Sequence, residues 1–283
     1  MQNRKKAPQG MYTAQEAINI IGIPATSFYT RVNSGEIKKI IPPGRKEGYY
    51  SKSEIDRYTR NLKAFSEPYQ DEKLDFGLAL TEDLPSIREL TASVSGGYGH
   101  AVPEDVLKAW IRKNPQSVHI LRKGNKIVGY ISMFPLNENT LTERLEGKLM
   151  NRTIPIDDIQ IFAPNKSILL YVAEMAVEHS PEHIKNGEPD PDNPDPQARQ
   201  RGAKLIKETA HFIADLRKQG TIISKFYAVG TTPFGIEMCR GLGMQPMKLP
   251  EGVREDRIPF ELDTAQNTNS VLVKRLLSRR KAA

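Results

Sequence analysis

The sequence predicts an α/β (α+β) protein in two parts: a small basic helical module, then a larger domain in which strands and helices alternate. Three observations predict it. Charge is segregated: residues 1–64 hold 12 Lys and Arg against 5 Asp and Glu, while the remainder holds 29 of each, so the net +7 lies in the N-terminal fifth. The stretch 167–216 reads as a strand and then a helix. An apolar run at 168–177, interrupted by Glu174, has the length of a buried strand; an acidic, proline-rich interruption at 182–196 follows. Leu205, Ile206, Ala210, Phe212, Ile213 and Leu216 then recur at helical spacing. Two apolar runs, 118–121 and 127–134, flank a Lys123-Gly124-Asn125 turn and read as a hairpin.

Composition narrows the class. Hydrophobic residues at 38% and charged residues at 27% describe a soluble globular protein. No apolar run approaches the roughly 18 residues that span a bilayer, so no membrane partner is expected. The opening MQNRKKAPQG is basic without an apolar core, unlike a secretory signal. A single cysteine, Cys239, excludes an intramolecular disulfide framework and a Cys-cluster metal site. A cytoplasmic protein is expected. The boundaries are a disordered basic arm at 1–10, the basic module at 11–64, a polar linker at 65–75, the larger domain at 76–263 and a basic tail at 264–283.

Taken in order, Thr13 caps a first helix and Glu16 completes a capping box, with Ala14, Ala17, Ile18 and Ile21 apolar and Gly22 as the stop. A second helix carries Phe28 and Val32 inward and ends at Gly35. Ile37, Ile40 and Ile41 fit a short strand, residues 42–48 a basic turn, and Tyr49-Tyr50 the return. A last helix holds Ile55, Tyr58 and Leu62. This is the pattern of a winged helix-turn-helix. The segments "GIPATSFYTRVNSGEI" and "YYSKSEIDRY" resemble the MerR/excisionase type of DNA-binding domain. That resemblance implies that residues 25–34 enter the major groove of double-stranded DNA. Thr26, Ser27, Tyr29, Thr30 and Arg31 would then contact bases or phosphates, and Lys38, Lys39, Arg45, Lys46 and Lys52 would hold phosphate. Paired half-sites imply a homodimer. The alternative is a solvated basic face that binds protein.

In the larger domain, residues 76–80 alternate like an opening strand, and a helix follows with Ile87, Leu90 and Val94 inward. Ser95 to His100 is a glycine-rich turn; three glycines without a lysine do not make a phosphate loop. A helix at 103–113 carries Trp110 as a core anchor. The hairpin comes next, then a helix at 137–150 and an irregular or strand segment at 154–162, where Asp157 and Asp158 either face an amine substrate or, as favoured, are solvated on a loop. Beyond 216, residues 226–229 read as a strand and 234–241 as a helix; residues 271–281 form a short basic amphipathic segment.

"EMAVEHSPE" at 174–182 and Arg199-x-x-Gly202, with "FGIEMCRGLGM" at 234–244, resemble the core motifs of the GNAT N-acetyltransferase superfamily. The resemblance implies a mixed, largely antiparallel sheet and acetyl-CoA as acyl donor, with no metal. Backbone at Met175, Ala176 and Val177 would pair with the pantetheine arm. N–H groups around Arg201, Gly202, Ala203 and Lys204, at a helix opening near Arg199, would hold the pyrophosphate, with charge added by Arg199, Arg201 and Lys204. Glu174 would be the catalytic base, with Glu178, His179 and His183 nearby. Lys204 stands where Gly or Ala is usual. Cys239 stands where a tyrosine usually donates a proton to the thiolate, with Tyr227 as another donor. Two functions are therefore expected in competition. One is a DNA-associated acetyl-CoA-dependent N-acetyltransferase acting on a protein or small amine. The other is a DNA-binding regulator whose GNAT-like domain senses acyl-CoA or binds a partner without turnover.

Overall fold

The computed structural model describes residues 7–33, 35, 37–43, 48–56, 58–59, 73–190, 192–248 and 257–265. The chain divides into two compact units, Met1–Pro68 and Tyr69–Ala283. Arg45, Lys46, most of the expected basic arm and linker, and nearly all of the basic tail lie outside the described residues.

In the first unit, β1 (Met11–Tyr12) leads into α1 (Ala14–Ile21), which opens with the predicted capping box: Glu16 N–H donates to Thr13 Oγ1, and Thr13 N–H donates to Glu16. Gly22 ends α1 at φ 73°, a left-handed conformation in which a side chain would be strained. After Ile23-Pro24 comes α2 (Ala25–Asn33), then β2 (Tyr50–Ser51) and α3, helical at 52–56 and 58–59. Ala17, Ile21, Phe28, Ile37, Tyr50 and Ile55 form one small core. The expected strand at 37–41 contracts to a single bridge between Ile40 and Tyr49. The strand that Tyr50 does join is β1, which two residues of sequence were too short to announce.

The second unit is built on a seven-stranded mixed sheet. Its strands are β3 (Leu74–Leu78), β4 (Val118–Lys123), β5 (Lys126–Pro135), β6 (Ser167–Val177), β9 (Ile222–Gly230), β10 (Gln245–Pro246) and β11 (Ile258–Asp263). They lie in the order β10-β11-β9-β6-β5-β4-β3. All pairings are antiparallel except β6 with β9, which are joined by the long crossover helix α7 (Pro196–Lys218). α4 (Leu84–Val94), α5 (Glu104–Lys113) and α6 (Glu138–Leu145) join one core with Tyr130, Phe134, Tyr171 and Ala173. The opposite face packs on α7 and α8 (Pro233–Gly241) through Met133, Leu170, Ile213, Phe226 and Cys239. With cover on both faces, β5 is apolar nearly throughout rather than alternating.

β5 and β6 sit at the centre, and their register jumps once. Ser132 pairs with Glu174 but Met133 pairs with Val172, leaving Ala173 as the extra residue of a β-bulge. β6 and β9 pair in parallel only as far as Val172 with Ala228. Beyond that, β6 runs on to Val177 against β5, and β9 runs on to Gly230 against β11, so the two strands diverge. No described helix is long and apolar enough to cross a membrane.

Two expectations change. The segment 182–196, read as an irregular interruption, contains a tight hairpin, β7 (Ile184–Lys185) with β8 (Glu188–Pro189). Its turn residues Asn186 and Gly187 both take positive φ, which this turn requires and which Asn and Gly tolerate best. The helix expected at 137–150 is shorter, capped by the Asn137 side chain on Thr140 N–H.

Candidate active site

Strict alternation along β6 would send Tyr171 and Ala173 to the α4–α6 face and Glu174 to the other. The extra residue at Ala173 reverses the phase, and Glu174 emerges beside Tyr171 and Tyr130. There the Tyr130 hydroxyl donates to Glu174 Oε2 at 2.5 Å, and Thr91 Oγ1 donates to the Tyr130 oxygen at 2.8 Å. Tyr171 Oη donates to Asn151 Oδ1 at 2.8 Å, Arg144 Nε donates to the same oxygen at 2.7 Å, and Asn151 Nδ2 donates to the Ala173 carbonyl at 2.6 Å. Asn151 thus ties the bulge backbone to α6.

Burial pushes the Glu174 carboxyl up to about 7; the Tyr130 hydroxyl, the Arg144 charge and Asn151 offset part of that rise. Burial, reinforced by the Glu174 charge, pushes Tyr130 well above the ordinary tyrosine range, so it stays protonated as a donor. A carboxyl that titrates near neutrality while only partly buried can take a proton from an incoming group and return it to solvent. It stands where β6 and β9 diverge, at the carboxyl ends of two parallel strands, the usual place for a ligand crevice in such sheets.

The expected anion cradle is not there. α7 opens at Pro196, three residues before Arg199, because Asp195 caps it. Asp195 Oδ1 accepts the N–H groups of Gln197 at 2.8 Å and Ala198 at 3.2 Å, and Oδ2 accepts Ser180 N–H at 2.7 Å. Arg199 N–H goes to the Asp195 carbonyl, and Pro196 has no N–H to offer. Arg201, Gly202, Ala203 and Lys204 lie on the second turn, where N–H groups bond to carbonyls four residues back. The protein's own carboxylate therefore occupies the start of α7, and the 201–204 amides are spent inside the helix. Burial alone would raise the Asp195 pKa, but its three backbone donors hold it below the usual carboxylate value.

The flanking charges are engaged as well. Arg201 is buried and pairs through Nη1 with Glu178 Oε2 at 2.9 Å; Lys204 pairs with Glu208 at 2.8 Å. Gly202 faces Met175 and Phe234 at ordinary contact distance for an added Cβ, so packing within the protein does not demand glycine there. These residues do not fit a diphosphate at the start of α7. The edge of β6 at Met175, Ala176 and Val177 does lie at the divergence.

Neither expected proton donor is placed for that task. Cys239 is buried among Ile213, Phe226 and Met244 on the α7–α8 face, whereas Glu174 opens on the other; burial pushes its thiol up to about 12. A β4 residue that packs on α7 shows the same effect: His119, stacked between Phe76 and Phe212, is pushed down by burial to about 4. Tyr227 donates to Glu261 at 2.7 Å, and burial together with that carboxylate raises its pKa strongly. Asp158 accepts from Thr140 Oγ1 at 2.6 Å and Asp157 pairs with Lys113, so only Asp157 faces solvent as expected. Tyr130, Arg144, Asn151, Tyr171 and Asp195 escaped sequence reasoning. For Asp195 a signal existed, since Asp followed by Pro is a helix-start signature; the others are assembled only by the bulge.

In the first unit, Thr26, Tyr29 and Thr30 are exposed on α2 while Phe28 is buried; Ser27 and Arg31 are partly buried, Arg31 lying 5.5 Å from the Tyr58 ring centre. Lys38, Lys39 and Lys52 are exposed.

No family model and no curated protein matches the chain. Solved structures similar to it include the loading GNATL domain of CurA from Lyngbya majuscula, at 17% identity and TM-score 0.45, covering 67% of this chain and 97% of that one. FeeM, an N-acyl amino acid synthase from uncultured soil microbes, matches at 12% and 0.43, covering 71% and 97%. A GphF GNAT-like decarboxylase in complex with isobutyryl-CoA matches at 12% and 0.42, covering 67% and 98%.

The Asp195 cap gives a stability prediction. Asp195→Ala frees three backbone donors, two of them on α7, and should destabilise the second unit by about 2 kcal/mol in urea denaturation. An unchanged midpoint would show that the cap is not formed in solution.

Proposed function

We propose that the 69–283 unit is an N-acyltransferase that moves an acyl group from a thioester to an amine, with Glu174 as the base. The observation that carries this reading is the placement of Glu174: a carboxyl raised by burial to about 7, turned by a bulge to the face of Tyr130, just beyond the point where two parallel strands cease to pair. In the proposed step the amine nitrogen attacks the thioester carbonyl while Glu174 takes the amine proton. The C–S bond then breaks, the amide forms, and the thiolate takes its proton from solvent. Tyr130 holds Glu174 in place and, when Glu174 is ionised, stabilises its charge. The edge of β6 at 175–177, beyond its pairing with β9, offers backbone groups to an extended pantetheine arm, as an added strand would use them. The resemblance of 174–182 to a GNAT strand motif agrees with this arrangement; that of 199–202 does not enter it. Because Asp195 fills the start of α7, donor binding here rests on the arm and the acyl group rather than on a diphosphate.

A base must be ionised to act, so kcat/KM for acyl transfer should rise with pH through about 7 and level off above it. Glu174→Gln should lower kcat by about a hundredfold or more and abolish that rise. Turnover that is indifferent to Glu174→Gln would remove the residue from the chemistry.

A second reading concerns the first unit. We propose that it binds double-stranded DNA, supported by the segregated positive charge and by the outward Thr26, Tyr29 and Thr30 on α2, two helices meeting at the Gly22 turn. Whether the two activities serve one regulator or a DNA-tethered enzyme follows from which of them is measured. The full chain should bind a random duplex with an affinity that falls linearly against log salt. Lys38→Gln with Lys39→Gln should reduce that slope by about 1 to 2. No binding at about 50 mM salt, where a phosphate-dominated contact is strong, would overturn it.

A further inference from the structure

The polar cluster beside Glu174 holds one group that the acyl-transfer step leaves unused. Arg144, on the last turn of α6, is 4% exposed. Its Nε donates to the neutral Asn151 side chain, and its guanidinium lies 5.6 Å from the centre of the Tyr171 ring. Its Nη1 is buried and has no hydrogen-bond partner among the described residues. A guanidinium is charged at every relevant pH and presents its N–H groups in a fixed fork suited to a carboxylate. Buried beside neutral partners with one arm of the fork unused, it is a costly arrangement unless something anionic completes it.

Glu174 is the carboxylate that bears on Arg144, and the two are linked through Asn151 and the bulge backbone. That compensation fails at the moment it matters. When Glu174 takes a proton from the amine, the negative charge beside Arg144 disappears. A plain amine would leave the guanidinium buried without a counter-charge at that point. An acceptor that carries its own carboxylate keeps Arg144 paired before, during and after proton transfer. Its amine reaches the site neutral, its first proton having gone to solvent, while its carboxylate offsets Arg144.

Resting on the reading of Glu174 as the base, we propose that Arg144 binds a carboxylate of the acceptor, which makes the acceptor an amino acid with its amine only a few bonds from its carboxylate. Arg144 then determines specificity, touching the substrate away from the reacting nitrogen.

The test uses the full chain and matched acceptor pairs that differ by the carboxylate: alanine with ethylamine, leucine with isoamylamine, phenylalanine with phenethylamine. Each is measured for turnover with acetyl-CoA and with S-acetyl-pantetheine, and for binding by calorimetry without donor. The proposal expects at least one amino acid to exceed its amine by about tenfold or more, in kcat/KM and in binding. Arg144→Met should narrow that gap toward one, and Arg144→Lys, which keeps the charge but not the fork, should retain part of it. Equal use or binding of both members of every pair, or no binding by any of them, would overturn the proposal. Arg144-dependent amino-acid binding with no turnover of any acceptor would uphold it and remove the acyl-transfer reading instead. Should Arg144→Met fail to fold, the lysine variant and the wild-type pair ratios decide the outcome.

Discussion

The second unit depends on one irregularity in its central strand. Ala173 is the residue with no partner on β5, and its presence inverts the facing of everything after it on β6. Without it, Glu174 would point toward α7, where Val172 packs; with it, Glu174 meets Tyr130 and the Asn151 network on the α4–α6 side. The same stretch is where β6 parts from β9. One added residue therefore aims the carboxyl, places it where β6 and β9 part and buries it enough to raise its pKa.

A second constraint works on the other side of β6. The start of a helix attracts anions because its first N–H groups lack partners. In α7 that demand is met internally by Asp195, which also accepts Ser180 N–H and so links the end of the 178–195 connection to the helix. The position of the cap, three residues earlier than Arg199, moves Arg201 and Gly202 from the mouth of the helix into its body. Arg201 then turns to Glu178 and fixes the exit from β6. The two faces of β6 thus differ in character: one carries buried, partly compensated polar groups, and beside the other the helix start is closed by internal pairing.

Much of the fold was legible in the sequence because its signals are local. The Thr13–Glu16 capping box, the Gly22 stop, the Gly124 turn of the β4–β5 hairpin and the apolar lengths of β5 and β6 each follow from a few neighbouring residues. Glu174 stood out as the one charge in an apolar run. What could not be read is what depends on pairing between distant segments. The bulge exists only as a mismatch of β5 against β6, so the company of Glu174 with Tyr130, Asn151 and Arg144 had no trace in the periodicity of either strand. The cap on α7 was readable in principle. Asp195-Pro196 lay inside a stretch of alternating Asp and Pro that looked uniform, and the motif at 199–204 drew the helix start to itself. Cys239 was singled out by alignment to a motif, but its neighbours Phe226 and Met244 make it core.

The central claim is that the bulge and the burial around it tune Glu174 for proton transfer near neutrality. Its most direct test is a carbon-13 NMR titration of the Glu174 side-chain carboxyl, assigned by its absence in Glu174→Gln. The account predicts a midpoint near 7, well above the ordinary glutamate value. A midpoint near 4.5, the ordinary value, would contradict it and leave Glu174 as a permanently ionised partner of Arg144.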